Sequence, residues 1–523
     1  MEVLVLIAVL GATVLIGTTL GGRYRVAPPV LLISMGALLG LLPPFSQVTL
    51  EPDVVLLLFL PAILYRESLV ISLRQIRANL LVIALLAVAL VVLSWVAVSY
   101  TAQALGVAPA AAWVLGAVLA PTDAAAVAGL AKRMPRDLLT TLRAESLIND
   151  GTALVLFAVT VGVIVGGAPP EPLELAGRFV VSAAGGVAAG LVVGGVVILI
   201  RRRLDDPQRE GALSVLTPFV AFLLADVVHA SGVLAVVVAG LLLSYAAPRI
   251  IRARSRQMAY NFWDLSTFLI NGSLFVLLGM QVPRSLRSIT GHSPAQALGI
   301  AMAVVGVVVA TRMVLVHLAT PALQALGPRA RRGSRFDWRV RTVVGWAGFR
   351  GAVSLAAALA VPITTSGGAP VRERDLIIFV TVTVIVVTML VQGTTLPAVA
   401  SWAGLRGDRE REDEVRLTRL RATEAGLAAL PQVAAEIGAT PDTVDRLRSD
   451  YEEHLDAVRS AGDPRADQER DLARRLRLGV LEHKRRELTR LRGENMIDDV
   501  VLREVQAAID IEEIRLLGPI LED

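Results

Sequence analysis

Residues 120–123, Ala120-Pro121-Thr122-Asp123, and residues 348–354, Gly348-Phe349-Arg350-Gly351-Ala352-Val353-Ser354, each set a helix breaker beside a charge in the middle of an apolar run. Proline removes an amide hydrogen and clashes with the preceding turn, while glycine lowers the cost of leaving helical geometry. Inside a bilayer the freed backbone groups must be satisfied by protein or by a water-lined cavity. An ordinary proline kink or a glycine packing site explains either stretch alone. It does not explain why both carry a charge.

The surrounding composition makes the runs transmembrane. Of 523 residues, 54% are hydrophobic and 19% charged, with a mean hydropathy of +0.63; a soluble domain carries about 25% charged residues. Cysteine is absent, which excludes disulfides, thiolate metal sites and cysteine nucleophiles. Met1 to Leu20 is apolar without a basic leader or a small-residue cleavage site, so it reads as a first span.

At ~20 apolar residues per crossing, the sequence predicts an all-α polytopic membrane protein. Its thirteen helices fall near residues 3–20, 28–43, 54–71, 79–104, 109–130, 139–166, 176–200, 212–228, 231–247, 261–281, 296–323, 342–362 and 376–401. The two breaks fall in helices 5 and 12. An odd offset of seven places them in opposite orientations, as two inverted-topology repeats of helices 1–6 and 8–13 around a linking helix 7 require. Broken helices 5 and 12 are then expected to cross at the centre.

Charge divides the chain near residue 405. Net charge is +12 up to Leu405 and −7 from Arg406 onward, where long apolar runs give way to amphipathic, helix-prone sequence. Residues 1–405 are expected to be a membrane domain and 406–523 a cytoplasmic helical tail. Basic residues favour alternate loops by 23 to five, the five being Arg178, Arg284, Arg287, Arg372 and Arg374. The positive-inside rule then puts the N-terminus outside and the tail in the cytoplasm. Arg312 and Arg350 remain, both inside apolar helices.

Glu145-Ser146-Leu147-Ile148-Asn149-Asp150 supplies the candidate chemistry. An ionisable group in a span costs roughly 2.5–3.5 kcal/mol on insertion scales and marks an ion or proton path by default. Residues four apart share a helix face, so Glu145 stacks with Asn149, and Ser146 with Asp150. Asp150 is the candidate carrier of both ion and proton. Burial disfavours the charged carboxylate and a small hard cation favours it, so Na+ and H+ compete for one group. If the cavity can change sides only when Asp150 is occupied, the result is obligatory antiport. Thr122, Asp123 and Ser146 are expected to complete an oxygen shell, and Asn149 puts an amide where a second exchangeable acid could have stood. Asp123 has an alternative role as a cap on the broken end of helix 5. Glu145 reads as half of a structural ion pair, with Arg350 or Arg312 as partner, and Glu67 as an interface charge.

Together with Leu119-Ala120-Pro121-Thr122-Asp123-Ala124, the stretches Glu145 to Gly151, Gly345-Trp346-Ala347-Gly348-Phe349-Arg350-Gly351-Ala352-Val353-Ser354-Leu355 and Val391-Gln392-Gly393-Thr394-Thr395-Leu396-Pro397 resemble the monovalent cation:proton antiporter-1 family over residues 1 to about 405. The resemblance implies electroneutral exchange of one Na+, Li+ or K+ per proton, with Asn149 as structural partner to the carrier Asp150. It also implies ion coordination by Thr122, Asp123 and Ser146, an ion-pair role for Glu145 and Arg350, and a homodimer whose core domain moves elevator-like. The setting it implies is a bacterial inner membrane, with Na+ and H+ as substrates and no cofactor. Phe349 stands where leucine is common.

Competing readings are a cation channel, a K+/H+ antiporter and a membrane enzyme. The enzyme reading fails on inventory, since five histidines are scattered and no HExxH motif appears. No nucleotide loop or Ca2+ loop is present, and nothing points to nucleic acid. In the tail, Thr440-Pro441 and Asp463-Pro464 read as helix starts, Asn495 as a further cap, and Leu472, Leu476, Val480 and Leu481 as an apolar face.

Overall fold

The computed structural model describes the chain apart from residues 1, 25, 27, 46–53, 72, 124–133, 135, 167–171, 290, 326–336, 406–408, 461–463, 495, 497 and 518–523. The described residues are helical, with a single isolated bridge between Thr364 and Pro370. Two compact units emerge, Met1–Gly407 and Asp408–Asp523.

The first unit contains α1 (Glu2–Tyr24), α2 (Pro28–Gly40), α3 (Leu60–Val70, entered through a π-helical turn at Val54–Phe59), α4 (Leu73–Ala104), α5 (Pro109–Leu119), α6 (Arg136–Ile164) and α7 (Pro172–Arg201). It continues with α8 (Pro207–Val227), α9 (Gly232–Ile250), α10 (Ala253–Ser288), α11 (Pro294–Ala325), α12 (Trp338–Trp346), α13 (Ala352–Leu359) and α14 (Arg374–Trp402). Among the described residues nine of these helices are long and apolar enough to cross a bilayer. The other four expected spans are interrupted or short: α2 has 13 residues, α3 and α5 have 11 each, and α12 and α13 have nine and eight. The second half of expected helix 5, residues 124–130, lies outside the described residues, as do Lys132, Arg133, Asp463 and Asn495.

The packing repeats with the expected offset of seven spans. α2 lies along α10, and α9 lies along α3; α4 packs on α5 and α6, as α11 packs on α12 and α14; α4 and α11 meet each other. One buried core joins α4, α5, α6, α11, α12, α13 and α14. A second joins α3, α7, α8 and α9 with Trp263 of α10. α14 is the most enclosed of the nine candidate spans, 72% buried against 28–44% for the rest, which makes it the axis of the first core.

Hydrophobicity does not drive helices together in lipid, so close backbone approach does. At the α2–α10 crossing a Cβ on Gly36 would meet the Val276 carbonyl, and one on Gly279 the Ile33 carbonyl. Each helix therefore offers the other a reciprocal notch.

The second unit comprises α15 (Arg409–Ile437), α16 (Pro441–Arg459), α17 (Pro464–Gly493) and α18 (Asp499–Leu517). α15 packs on α16 and α17 on α18. Thr440 is the N-cap residue of α16 with Pro441 in the first turn, as its sequence predicts. The expected apolar face of α17 is divided: Leu481 is buried, whereas Leu472, Leu476 and Val480 are exposed. Arg485 instead ties α17 to α18 through Asp510 and Glu513, and those two carboxylates hold its guanidinium above the ordinary arginine range.

Gly36→Val is expected to destabilise the protein by ~1–3 kcal/mol through overpacking, read as a lowered Tm in detergent. Gly299→Ala, where a Cβ meets open space, serves as control; equal Tm values for the two variants contradict this packing.

Candidate functional site: a crossing of two broken helices

The α5 helix stops at Leu119, and residues 120–123 are non-helical; on the other side, residues 347–351 separate α12 from α13. The two breaks touch. The Asp123 amide donates to the Phe349 carbonyl at 2.9 Å. Arg350, fully buried, donates from Nε to the Leu119 carbonyl at 3.0 Å and from its terminal nitrogen to the Gly348 carbonyl at 2.6 Å. A guanidinium thus meets the carbonyl-rich, partially negative end of α5. Asp123 does the reverse: its carboxylate fills the space that a Cβ on Gly351 would occupy, at the partially positive start of α13. Only glycine admits the carboxylate there.

α6 fastens this crossing from one side. Ser146 Oγ donates to the Thr122 carbonyl at 2.6 Å, and Asn149 Nδ2 donates to Thr122 Oγ1 at 3.0 Å. Asn149 also reaches Glu145 Oε1 at 3.4 Å, one turn back along α6. Glu145 pairs with Arg312 of α11 at 2.7 Å, and Arg312 Nε bonds the Val344 carbonyl of α12 at 3.2 Å. Of the two arginines open to Glu145 on sequence grounds, Arg312 takes the pair and Arg350 binds main-chain carbonyls.

On the Ser146–Asp150 face lies a cavity of about 30 Å³, bounded by Thr122, Asp123, Ser146 and Asp150, with Glu67 of α3, Asn271 of α10 and Ser354 of α13 completing its polar wall. That is room for very few waters or one partly dehydrated alkali ion. Asp150 is 5% exposed, and its Oδ1 has no hydrogen-bond partner. An unsatisfied buried carboxylate oxygen is costly and is retained where a ligand or proton answers it. Among the described residues no group of three or more His, Cys, Asp or Glu forms a metal cluster, so the wall mixes carboxylates with hydroxyls and carbonyls.

Thr122, Asp123, Ser146 and Asp150 thus line one cavity, and Asn149, Glu145 and Arg312 form a bonded group behind it. Glu67 is not the interface charge it resembles; it faces the same cavity. Asn271, an amide inside the apolar stretch Phe268-Leu269-Ile270-Asn271, carried the signal of a polar group at mid-span. Ser354, in the motif of the second break, had no role assigned.

Paired broken helices around an acidic cavity, in a fold whose packing repeats at an offset of half the spans, define the class of secondary transporters. The chain belongs to the sodium/hydrogen exchanger family, whose transmembrane model matches residues 10–402. An uncharacterized Na+/H+ exchanger of Mycobacterium tuberculosis is 56% identical over 523 residues, covering 99% of this chain and 96% of its own. The Na+/H+ antiporter ApNhaP of Aphanothece halophytica is 29% identical over 425 residues, 80% of this chain and 77% of its own. In fold, the chain is similar to the sodium proton antiporter MjNhaP1 of Methanocaldococcus jannaschii, with a TM-score of 0.57 at 21% identity over 77% of this chain and 98% of that one.

Glu145→Gln leaves Arg312 buried without its carboxylate, and breaking such a pair costs roughly 3–5 kcal/mol. The expected outcome is a large fall in Tm in detergent; a wild-type Tm contradicts the pair's structural role.

Proposed function

We propose that the chain is a secondary active antiporter that exchanges Na+ for H+ across the membrane, with Li+ and K+ as alternative cations. Asp150 carries the proton in one half-cycle and the cation in the other. The observation that carries this reading is the unpartnered Asp150 Oδ1 on the cavity wall beside Thr122 and Ser146. Family membership and the names of the relatives support the choice of substrates.

The hydrogen-bond directions suit a cation. Ser146 donates its hydrogen to the Thr122 carbonyl, so toward the cavity its hydroxyl acts as an oxygen ligand and not as a donor. Thr122 Oγ1 accepts from Asn149, and a hydroxyl oxygen has a second lone pair to give. Asp150, Ser146, Thr122 and Asp123 then form the oxygen shell that a hard cation prefers. Asn149 positions Thr122 and cannot carry a proton of its own, so Asp150 exchanges a single charge per half-cycle and the cycle is electroneutral. Because the proton and Na+ seek the same carboxylate, apparent Na+ affinity falls as pH falls.

The transport unit is residues 1–405, in a bacterial inner membrane with the N-terminus outside and the helical tail of residues 406–523 in the cytoplasm. It works as a homodimer in which the crossing moves as one body, carrying the cavity from one face to the other.

Proteoliposomes holding a pH-sensitive dye test this reading. Added Na+ is expected to dissipate an imposed pH gradient at a rate insensitive to membrane voltage, and Asp150→Asn is expected to abolish the response while the variant remains folded. Retained Na+-driven proton flux in Asp150→Asn refutes the assignment of the carrier; current persisting without a pH gradient selects a channel.

A further inference from the structure

The ends of α7, α8 and α9 enclose a second cavity, of about 380 Å³, that has no part in the exchange site. Arg201, Arg202, Asp205, Glu210, Arg249 and Arg252 line it. Its depth in the membrane follows from the helices that form it. Arg201 closes the apolar stretch of α7, Pro207 opens that of α8, and Ile250 ends that of α9. The cavity therefore opens at the boundary between hydrocarbon and water, where lipid phosphates lie.

The charges inside it are unbalanced. Arg252 is answered by Asp205 at 2.6 Å, in a pair that is largely solvent-exposed. Arg201, Arg202 and Arg249 then face one carboxylate, Glu210. Arg201 is only 5% exposed, yet its Nε has no hydrogen-bond partner; Glu210 is 3% exposed, and its Oε2 has none either. A buried guanidinium with an unused donor is expensive unless a ligand meets it. Its planar fork matches the oxygens of a phosphate, and basic pockets between spans at this depth suit anionic headgroups.

We propose that this cavity is a binding site for a phosphate-bearing anion, seated by Arg201 at its inner wall and by Arg202 and Arg249 at its mouth. Glu210 sets the charge it accepts. One carboxylate opposed to three arginines leaves an excess of two positive charges, enough for a phosphodiester or a free phosphate, and the position of the cavity at the ends of three apolar stretches favours an anionic lipid headgroup over free phosphate. The bound headgroup bridges the junction between α7 and α8 and the end of α9.

The test uses the purified full chain in a non-ionic detergent, with phosphatidylglycerol, phosphatidylcholine or sodium phosphate added and bound species counted by native mass spectrometry. Phosphatidylglycerol is expected to bind at least ~10-fold more tightly than phosphatidylcholine, and Arg201→Gln to remove most of that preference, the tenfold being the loss of one charge-assisted phosphate contact. Arg249 is exposed, so Arg249→Gln tests the site without disturbing the fold, and a weakening of the same sign is expected. Glu210→Gln is expected to tighten binding. Displacement of phosphatidylglycerol by millimolar phosphate, dependent on Arg201, still supports the anion site and assigns free phosphate as its source. Equal binding of the two lipids, or undiminished preference in both arginine variants, overturns the proposal. Loss of exchange activity does not enter this readout, so its outcome is independent of the antiport mechanism.

Discussion

Two interrupted helices crossing at mid-membrane, each supplying the charge that the other's free end requires, are the constraint from which the rest of the transmembrane unit follows. Arg350 holds the carbonyl end of α5, and the Asp123 carboxylate sits at the start of α13. Neither break is tolerable in lipid alone, because open carbonyls and amides have no solvent there. Together they satisfy each other, and the main-chain bond from Asp123 to Phe349 locks their relative height. The glycine at 351 follows from the same geometry, since a side chain there would displace the carboxylate.

Around that crossing, α6 is divided by its own periodicity into a structural face and an open one. Glu145 and Asn149 turn toward Arg312 and Thr122, and their polar atoms join α6, α11 and the first break into one hydrogen-bonded frame. Ser146 and Asp150, one residue further round, turn toward the cavity. The frame is what makes the open face useful. A carboxylate left without a partner in a loose environment would recruit a neighbour; here the buried Arg312 is held by Glu145, and Arg350 is anchored on the Leu119 and Gly348 carbonyls.

Much of this was legible in the sequence because the signals are local. A proline or glycine beside a charge within an apolar run announces a broken helix, and four-residue spacing assigns Glu145 with Asn149 and Ser146 with Asp150 before any tertiary contact is known. What spacing cannot supply is the partner across space. Whether Glu145 meets Arg312 or Arg350 depends on how far α11 and the second break stand from α6. Glu67 was misread for the same reason: beside Tyr65 and Arg66 at a helix end it looks like a membrane-surface charge, and only the approach of α3 to the crossing turns it inward. Helix detail was also beyond reach, since α2 already ends at Gly40 where an end near residue 43 is expected, and the span leading into α3 begins as a π-helical turn.

The account stands on one carboxylate being shared by proton and cation, and the most direct measurement is proton release on cation binding, without transport. Na+ titrated to saturation into the detergent-purified protein in weakly buffered solution, at a pH low enough that the carboxylate is protonated before Na+ is added, is predicted to release about one proton per ion bound, and the Asp150→Asn variant none. Na+ binding to the wild-type protein with no proton released, or equal release from the variant, contradicts the shared-site mechanism.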